Sequence, residues 1–566
     1  MTRFLPRIWS ASLLVILGLL IVYPLFMLLI GAFTSVNPVS DPILASDFSF
    51  NNFAQVASSR QMHEVVANTL IACLGGAALS VAIGVTFAWI SVRTNTPFKA
   101  FVGAAGLLPL FIPPLIAGTA WSILGSPSVG LLNLLMKFAG LDLRLDIYSL
   151  GGLVFVFGIY YAPYVYVFTA AALRNMDPVL EEACEITGAG SMRIMFTITL
   201  PLVAPAILSS ALLSFVIMIG LYGIPATLAE PANIQVLSTY LYRLVAFHPP
   251  LYNTAAAVAV ILAVITSILV LMQQRLLSAR SYVTIAGKGY RPRSLNLGVW
   301  RWVTFGLALL YLILVVGLPM LALGIAAFRR FLFIPTMSSL FDASQYSLVH
   351  FRYIWEDDQI LRSIWNTVEI GVLTAVIGGA IGFAISYTTT RTTAPARRAI
   401  DLISFLPASV PGLIVGVAYL WAWIGLPISL YGTIWILALA YVARHIPDAA
   451  KAMTTSLLQI HRELEEAVWI SGGTLLGGIR TVVLPLARPG VLAALSLLFV
   501  LAIRELGSSL FLYTTDTTVM AIKLLEYFQS GRLGPTAAFG VIQVLVLAVL
   551  ISMTERFASR SASAVQ

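Results

Sequence analysis

Apolar residues run along this chain in blocks of about 20 to 28, separated by short stretches rich in Gly, Pro and charge. At roughly 1.5 Å rise per residue such blocks cross a bilayer as tilted helices, and they are too long for barrel strands of about ten residues. Spans are expected near 9–33, 63–92, 100–124, 148–172, 200–228 and 251–275, and again near 300–327, 361–390, 398–424, 431–457, 485–511 and 533–556. The pattern reads as an all-α polytopic membrane protein of about 12 transmembrane helices, six in each half, because lipid forces every backbone polar group to be satisfied within its own segment.

The halves repeat. Asn68-Thr69 matches Asn366-Thr367, Arg93-Thr94 matches Arg391-Thr392, and Pro109 with Pro113 matches Pro407 with Pro411, all at an offset of 298. Further on, EEACEITGAGSMRIMFTITLPLVAP from Glu181 matches EEAVWISGGTLLGGIRTVVLPLARP from Glu465 at an offset of 284. The fall from 298 to 284 places about 14 extra residues in the first half, around 125–147. An even number of spans separates the copies, so the halves are expected as parallel six-helix repeats that enclose a path at their interface. The boundaries are a first repeat over 1–275, a linker over 276–300 and a second repeat over 301–566, with polar islands at 177–205 and 461–489.

Composition agrees with the pattern: 59% of the 566 residues are hydrophobic and 10% are charged. The net charge of +9 has a topological cause, since Lys and Arg are scattered over short loops with no basic stripe that would suit nucleic acid. With the N-terminus inside, inner segments hold about 21 Lys and Arg and outer loops about 10, which puts both termini and both islands on the cytoplasmic side. The first apolar run, beyond Arg3 and Arg7, is too long for a signal-peptide core of about 7 to 15 residues and is expected as an uncleaved span. Cys73 and Cys184 would lie at different depths and do not pair. In the linker, Gly287-Lys288-Gly289 lacks the earlier glycine and the following hydroxyl residue of a phosphate-binding loop. Outer loops near 34–62 and 328–360 carry aromatics, among them Phe48, Phe50, Phe53, Tyr346, Phe351, Tyr353 and Trp355, that fit a docking surface and headgroup-level anchoring equally well.

Each island has local chemistry for a short helix and a turn. Asp177-Pro178 is a helix start, Glu181 and Glu182 occupy the first turns where the dipole favours anions, and glycines from Gly188 to Gly190 stop the helix. A second short helix is expected over Ser191–Thr199 before Pro201 opens the next span, giving a helix–turn–helix that lies along the membrane. The second island starts at His461-Arg462, a weaker cap, with a looser Gly472-Gly473 turn.

The pattern Glu-Ala-x, three residues, Gly, then Leu-Pro resembles the EAA loop of the membrane subunits of bacterial ABC importers, here doubled within one chain. The resemblance implies the MetI-like permease fold in a fused, two-domain subunit of the bacterial inner membrane. It also implies two partners: a cytoplasmic ABC ATPase homodimer, which binds ATP and Mg, and a periplasmic or extracellular solute-binding protein. No cofactor would be bound by this chain. Carried over residue by residue, coupling to the ATPase falls to Glu181, Glu182, Ala183, Gly188, Ala189 and Pro201, and to Glu465, Glu466, Ala467, Gly472, Gly473 and Pro485. Cys184 and Val468 depart from the third Ala, and Gly473 stands where Ala is usual.

Neither a nucleotide-binding motif nor a catalytic triad is seen, so energy comes from a partner and the chain is not expected to be an enzyme. Ionisable residues inside spans are costly and mark candidate sites. Glu369, Arg444, His445, Arg504 and Glu505 qualify, all in the second half, where the first half has Gly220 and Leu221 opposite Arg504 and Glu505. Together with Tyr222 they are candidates for a translocation path, as against structural ion pairs; Tyr160, Tyr161, Tyr164 and Tyr166 fit packing better than a path. LYGIPATL from Leu221 and RELGSSLFL from Arg504 resemble segments of fused ferric iron permeases, with thiamine, polyamine and phosphonate permeases as near relatives. A twelve-span secondary transporter is the rival class, and it leaves the doubled islands unexplained; a signalling receptor would want a soluble output domain.

Overall fold

The computed structural model describes residues 5–35, 48–177, 179–278, 295–334, 336–424 and 430–563. In the first half the main helices are α1 (Ile8–Phe33), α2 (Arg60–Arg93), the pair α3 (Lys99–Phe111) and α4 (Pro114–Gly125), α5 (Leu150–Asn175), α6 (Val179–Ile186), α7 (Met195–Ile219) and α8 (Tyr252–Leu276). The second half repeats the order with α9 (Gly298–Phe328), α10 (Asp358–Arg391), the pair α11 (Arg397–Ser409) and α12 (Gly412–Trp423), α13 (Ile434–Leu458), α14 (Glu463–Ile470), α15 (Leu475–Ile503) and α16 (Leu533–Leu550). Between α4 and α5, in the stretch where the extra residues are expected, lies a short helix, Leu131–Phe138.

Among the described residues nine helices are long and apolar enough to cross a membrane, and eleven if each bent pair counts as one span. Among the described residues the count of candidate spans is therefore below the twelve expected. The pairs α3–α4 and α11–α12 are bent by 98° and 112°. The bends fall at Ile112-Pro113 and Val410-Pro411, where the residue before proline is extended and proline cannot donate to a helix. The expected span near 431–457 is α13, which carries Arg444, Asp448 and Lys451 and so falls outside the apolar set. The expected spans near 200–228 and 485–511 stop earlier, at Ile219 and Ile503. After those stops the chain folds back against the bends: a Cβ at Gly223 would lie 2.9 Å from the Leu115 backbone nitrogen, and one at Gly507 would lie 2.9 Å from that of Leu413. Only glycine permits both approaches.

Proline also explains how the halves lock together. Four π turns, Gly18–Val22, Met195–Thr199, Ile313–Gly317 and Ile479–Val483, each end two residues before a proline, absorbing the missing N–H. A proline deprives the carbonyl four residues earlier of its helical donor, and inside a membrane another group must supply one. For Pro24 the Leu20 carbonyl accepts from the Tyr419 hydroxyl at 2.8 Å; for Pro319 the Val315 carbonyl accepts from Tyr160 at 2.9 Å; for Pro163 the Ile159 carbonyl accepts from Tyr311 at 2.8 Å. In all three the tyrosine belongs to the opposite half. These bonds join α1 to α12 and α9 to α5, α9 also packs on α4, and one apolar core runs through both halves.

The linker motif Gly287-Lys288-Gly289 lies outside the described residues. Where the chain is described again, Leu295 pairs with the end of α2, donating to the Arg93 carbonyl at 2.7 Å and accepting from the Asn95 N–H at 3.0 Å. Both cysteines are free thiols, Cys73 buried and Cys184 half-buried.

Candidate coupling segments and central cavity

The two islands fold alike. In the first, Asp177 accepts a hydrogen bond from the Val179 N–H at 2.9 Å and starts α6. The helix stops at Gly188, whose φ of +84° suits a residue without a Cβ, and two bonds close the turn: Gly188 N–H to Glu185 carbonyl at 2.8 Å and Ala189 N–H to Cys184 carbonyl at 3.2 Å. In the second, Arg462 offers no side-chain cap to α14, and Gly472 at φ +83° closes the same way, with Gly472 to Trp469 at 3.0 Å and Gly473 to Val468 at 2.8 Å. The second turn is thus no looser than the first, because identical backbone bonds fix both.

A separate second helix along the membrane is not formed. Ser191–Ile194 continues through the π turn into α7, and Leu475–Gly478 continues through its π turn within α15. Pro201 and Pro485 accordingly sit on the span helices themselves, just past those turns.

Glu181 and Glu465 also differ from a docking role, since both turn inward. Glu181 Oε2 is 3.0 Å from Arg93 Nη1, with the two side chains 13% and 3% exposed, and Oε1 accepts from the Thr199 hydroxyl at 2.6 Å. Glu465 Oε1 is 3.6 Å from Arg391 Nη1, both side chains nearly inaccessible, and Oε2 accepts from the Tyr387 hydroxyl at 3.0 Å. Arg391 further donates to the carbonyls of Leu457 and Ile460, at the end of α13. Each short helix is therefore tethered to the end of a long one by a buried ion pair. Glu182, Ala183, Glu466, Ala467, Gly188 and Gly472 are exposed, while Ala189 is half-buried and Gly473 exposed. The residues most open to a partner were not singled out from the sequence: Ile186 and Ile470, 87% and 88% exposed and at the same offset of 284 as the islands. An isoleucine in a polar island, doubled at the same register, was the available signal.

Where the two bends meet the two chain reversals lies a cavity of about 250 Å³. Tyr222, Arg444, His445, Arg504 and Glu505 line it, together with Pro113 and Pro411 from the bends. Glu369 does not; it stands half-buried on α10. Tyr160, Tyr161 and Tyr164 also border the cavity, although the Tyr160 hydroxyl is committed to Val315. Tyr166 is buried instead against Phe87, 6.5 Å between ring centroids. Arg444 Nη1 donates to the Pro407 carbonyl at 2.8 Å. Glu505 Oε1 accepts from the Ser508 N–H at 2.9 Å and its hydroxyl at 3.1 Å, and Oε2 lies 3.6 Å from His445 Nε2.

A second cavity, about 380 Å³, is lined by Glu230, Asn233, Gln235, Tyr242, Arg243 and Gln529. The Tyr222 and Tyr242 rings, 5.0 Å apart, stand between the two spaces. Glu230 lies outside the candidate spans, and burial pushes its carboxyl up to about 7 although the Arg243 guanidinium acts the other way.

The family model described as binding-protein-dependent transport system inner membrane component matches residues 80–281. The chain carries a permease domain of that family. Members are permease subunits of ABC importers and not catalysts, and the protein is a multi-pass inner-membrane component of such a system. Similarity to whole permeases extends over nearly the entire chain. It is 24% identical to the ferric transport system permease protein FbpB of Actinobacillus pleuropneumoniae, over 95% of this chain and 76% of that one. It is 22% identical to the Fe(3+)-transport system permease protein FbpB 2 of Haemophilus influenzae, over 98% and 99%. A shorter stretch, 29% of this permease, is 29% identical to the molybdenum transport permease ModB of Escherichia coli, covering 72% of it.

Proposed function

We propose that this permease is a fused pair of parallel six-helix repeats that carries ferric iron from an outer solute-binding protein to the cytoplasm, driven by an ATPase homodimer docked on α6 and α14. The observation that carries the coupling role is the doubled geometry: a short helix closed by a glycine at φ +84° or +83°, tethered by a buried Arg–Glu pair and presenting Ile186 or Ile470 to solvent. A knob rigid at its base and apolar at its tip suits insertion into a partner's groove. ATP-driven closure of the partner would draw the two knobs together and tip the halves between two states, with the central cavity as the path. Both termini and both knobs then face the cytoplasm, a reading supported by the excess of basic residues in the inner segments. The iron reading is supported by the extent of the match to relatives named for ferric transport.

Proteoliposomes with the permease, its ATPase and loaded binding protein test this directly. Vanadate-sensitive, ATP-dependent uptake of ⁵⁵Fe is expected. Uptake driven by an ion gradient without the ATPase would reject the importer mechanism in favour of a secondary transporter, and uptake of thiamine, a polyamine or a phosphonate in place of iron would reject the cargo.

A further inference from the structure

The central cavity holds several charges, and all but one are answered inside the protein. Arg444 donates to the Pro407 carbonyl and has the Glu505 and Asp448 carboxylates as electrostatic neighbours. The Glu505 carboxylate takes two bonds from Ser508 and faces His445, whose other nitrogen lies 3.3 Å from Asp448 Oδ2. Arg504 is different. It follows the last residue of α15, where the first half has only Gly220, and among the described residues its buried Nε has no hydrogen-bond partner and no carboxylate pairs with its guanidinium. Its electrostatic neighbours are the Tyr161 and Tyr164 phenols, whose rings stack 5.8 Å apart. Both of these tyrosines border the same cavity, whereas the Tyr222 hydroxyl turns to Gln529 and Glu230, which line the second cavity.

A guanidinium does not deprotonate, and held without a counter-charge in a low-dielectric interior it is costly. The cavity therefore offers donors and a positive charge that the protein does not use. A bare trivalent metal ion would be repelled by that charge, whereas oxygen anions match guanidinium and phenol donors in both charge and geometry. A volume of about 250 Å³ lies just below the range of roughly 300–1,000 Å³ typical of sites for drug-sized ligands, so it suits a compact ion.

We infer that the central cavity is an anion site, in which the Arg504 guanidinium, flanked by the Tyr161 and Tyr164 phenols, holds cargo that crosses as an oxyanion or as a metal ion enclosed in anionic oxygen ligands. This rests on the reading of the cavity as the translocation path. If iron is the cargo, it passes as an anionic complex such as a citrate or phosphate chelate.

The full permease with its ATPase in nanodiscs would be tested for retention of [³³P]phosphate, [⁹⁹Mo]molybdate and ⁵⁵Fe(III)-citrate, with La³⁺ as a cation control. Wild type is expected to retain at least one anion and not La³⁺. Arg504→Gln should weaken retention at least ~10-fold, Arg504→Lys should retain much of it, and Tyr164→Phe should weaken it several-fold. Tyr164→Phe removes one hydroxyl at nearly constant volume, so it keeps the test sharp if Arg504→Gln fails to insert. Retention of no anion, equal retention by wild type and both Arg504→Gln and Tyr164→Phe, or tight La³⁺ binding would overturn the inference. Retention of phosphate or molybdate through Arg504 without ⁵⁵Fe uptake would reject the iron cargo and leave the anion site standing. ATP-dependent ⁵⁵Fe uptake with anion retention indifferent to Arg504 and Tyr164 would do the reverse.

Discussion

Arg93 and Glu181 stand 88 residues apart in the chain and 3.0 Å apart in the fold, at the junction of a long helix with a short one. The equivalent pair, Arg391 and Glu465, recurs in the second half at 3.6 Å. Removing one partner of a buried pair strands the other charge, at a cost of about 3–5 kcal/mol. Glu181→Gln and Arg93→Gln should each loosen α6 and lower transport at least ~10-fold while the ATPase still binds. The swap Arg93→Glu with Glu181→Arg should recover part of the loss. Equal transport by Glu181→Gln and wild type, measured as ATP-dependent uptake, would show that the tether is dispensable.

The turns after α6 and α14 make a second test. A Cβ at Gly188 or Gly472 would touch nothing within 4 Å, so only the left-handed backbone resists substitution there. Gly188→Val or Gly472→Val should cost about 1–2 kcal/mol locally and impair coupling, whereas Gly→Asn, which tolerates that conformation, should be milder. Uptake rates ordered Gly, Asn, Val from fastest to slowest are expected, with membrane insertion unchanged in all. The reverse order of Asn and Val would point to the side chain rather than the backbone.

Proline-freed carbonyls give a stability cycle. Tyr311→Phe should leave the Ile159 carbonyl without its donor and cost about 1–3 kcal/mol, read as a lower melting temperature in detergent. Pro163→Ala restores a backbone N–H for that carbonyl, so the double variant should melt above the Tyr311→Phe single. Additive losses in the two variants would contradict the link.

Glu230 carries a pH dependence with a fixed sign. Its carboxyl sits at about 7 in the fold against 4.5 ordinarily, so the folded state holds the proton more tightly. The stability this contributes is complete below pH 4.5 and is lost as pH rises through 7. Partial exposure screens the shift, and a loss of about 1 kcal/mol between those limits is expected. Glu230→Gln should flatten that part of the stability curve; an unchanged slope would place the titrating group elsewhere.

Much of this protein was legible along the chain, because a residue's fitness for lipid, helix or turn is a local property. Block length gave the spans, Gly188 and Gly472 gave the turns, Asp177 gave a cap, and the shared spacing of the islands gave the family. The proline pairs Pro109/Pro113 and Pro407/Pro411 were visible as repeats, but not as bends of 98° and 112°, since a proline in an apolar run fits a kinked span as well as a reversal.

The sequence by itself determined that the chain lies in a membrane and that two polar islands share one spacing, for hydropathy and spacing are read residue by residue. Only the tertiary structure decided that Glu181 and Glu465 face inward to arginines, that Ile186 and Ile470 face out, and that Arg504 and Tyr222 share one cavity while Glu369 does not. Whether a charge is paired depends on segments up to hundreds of residues away, and only packing brings those segments together.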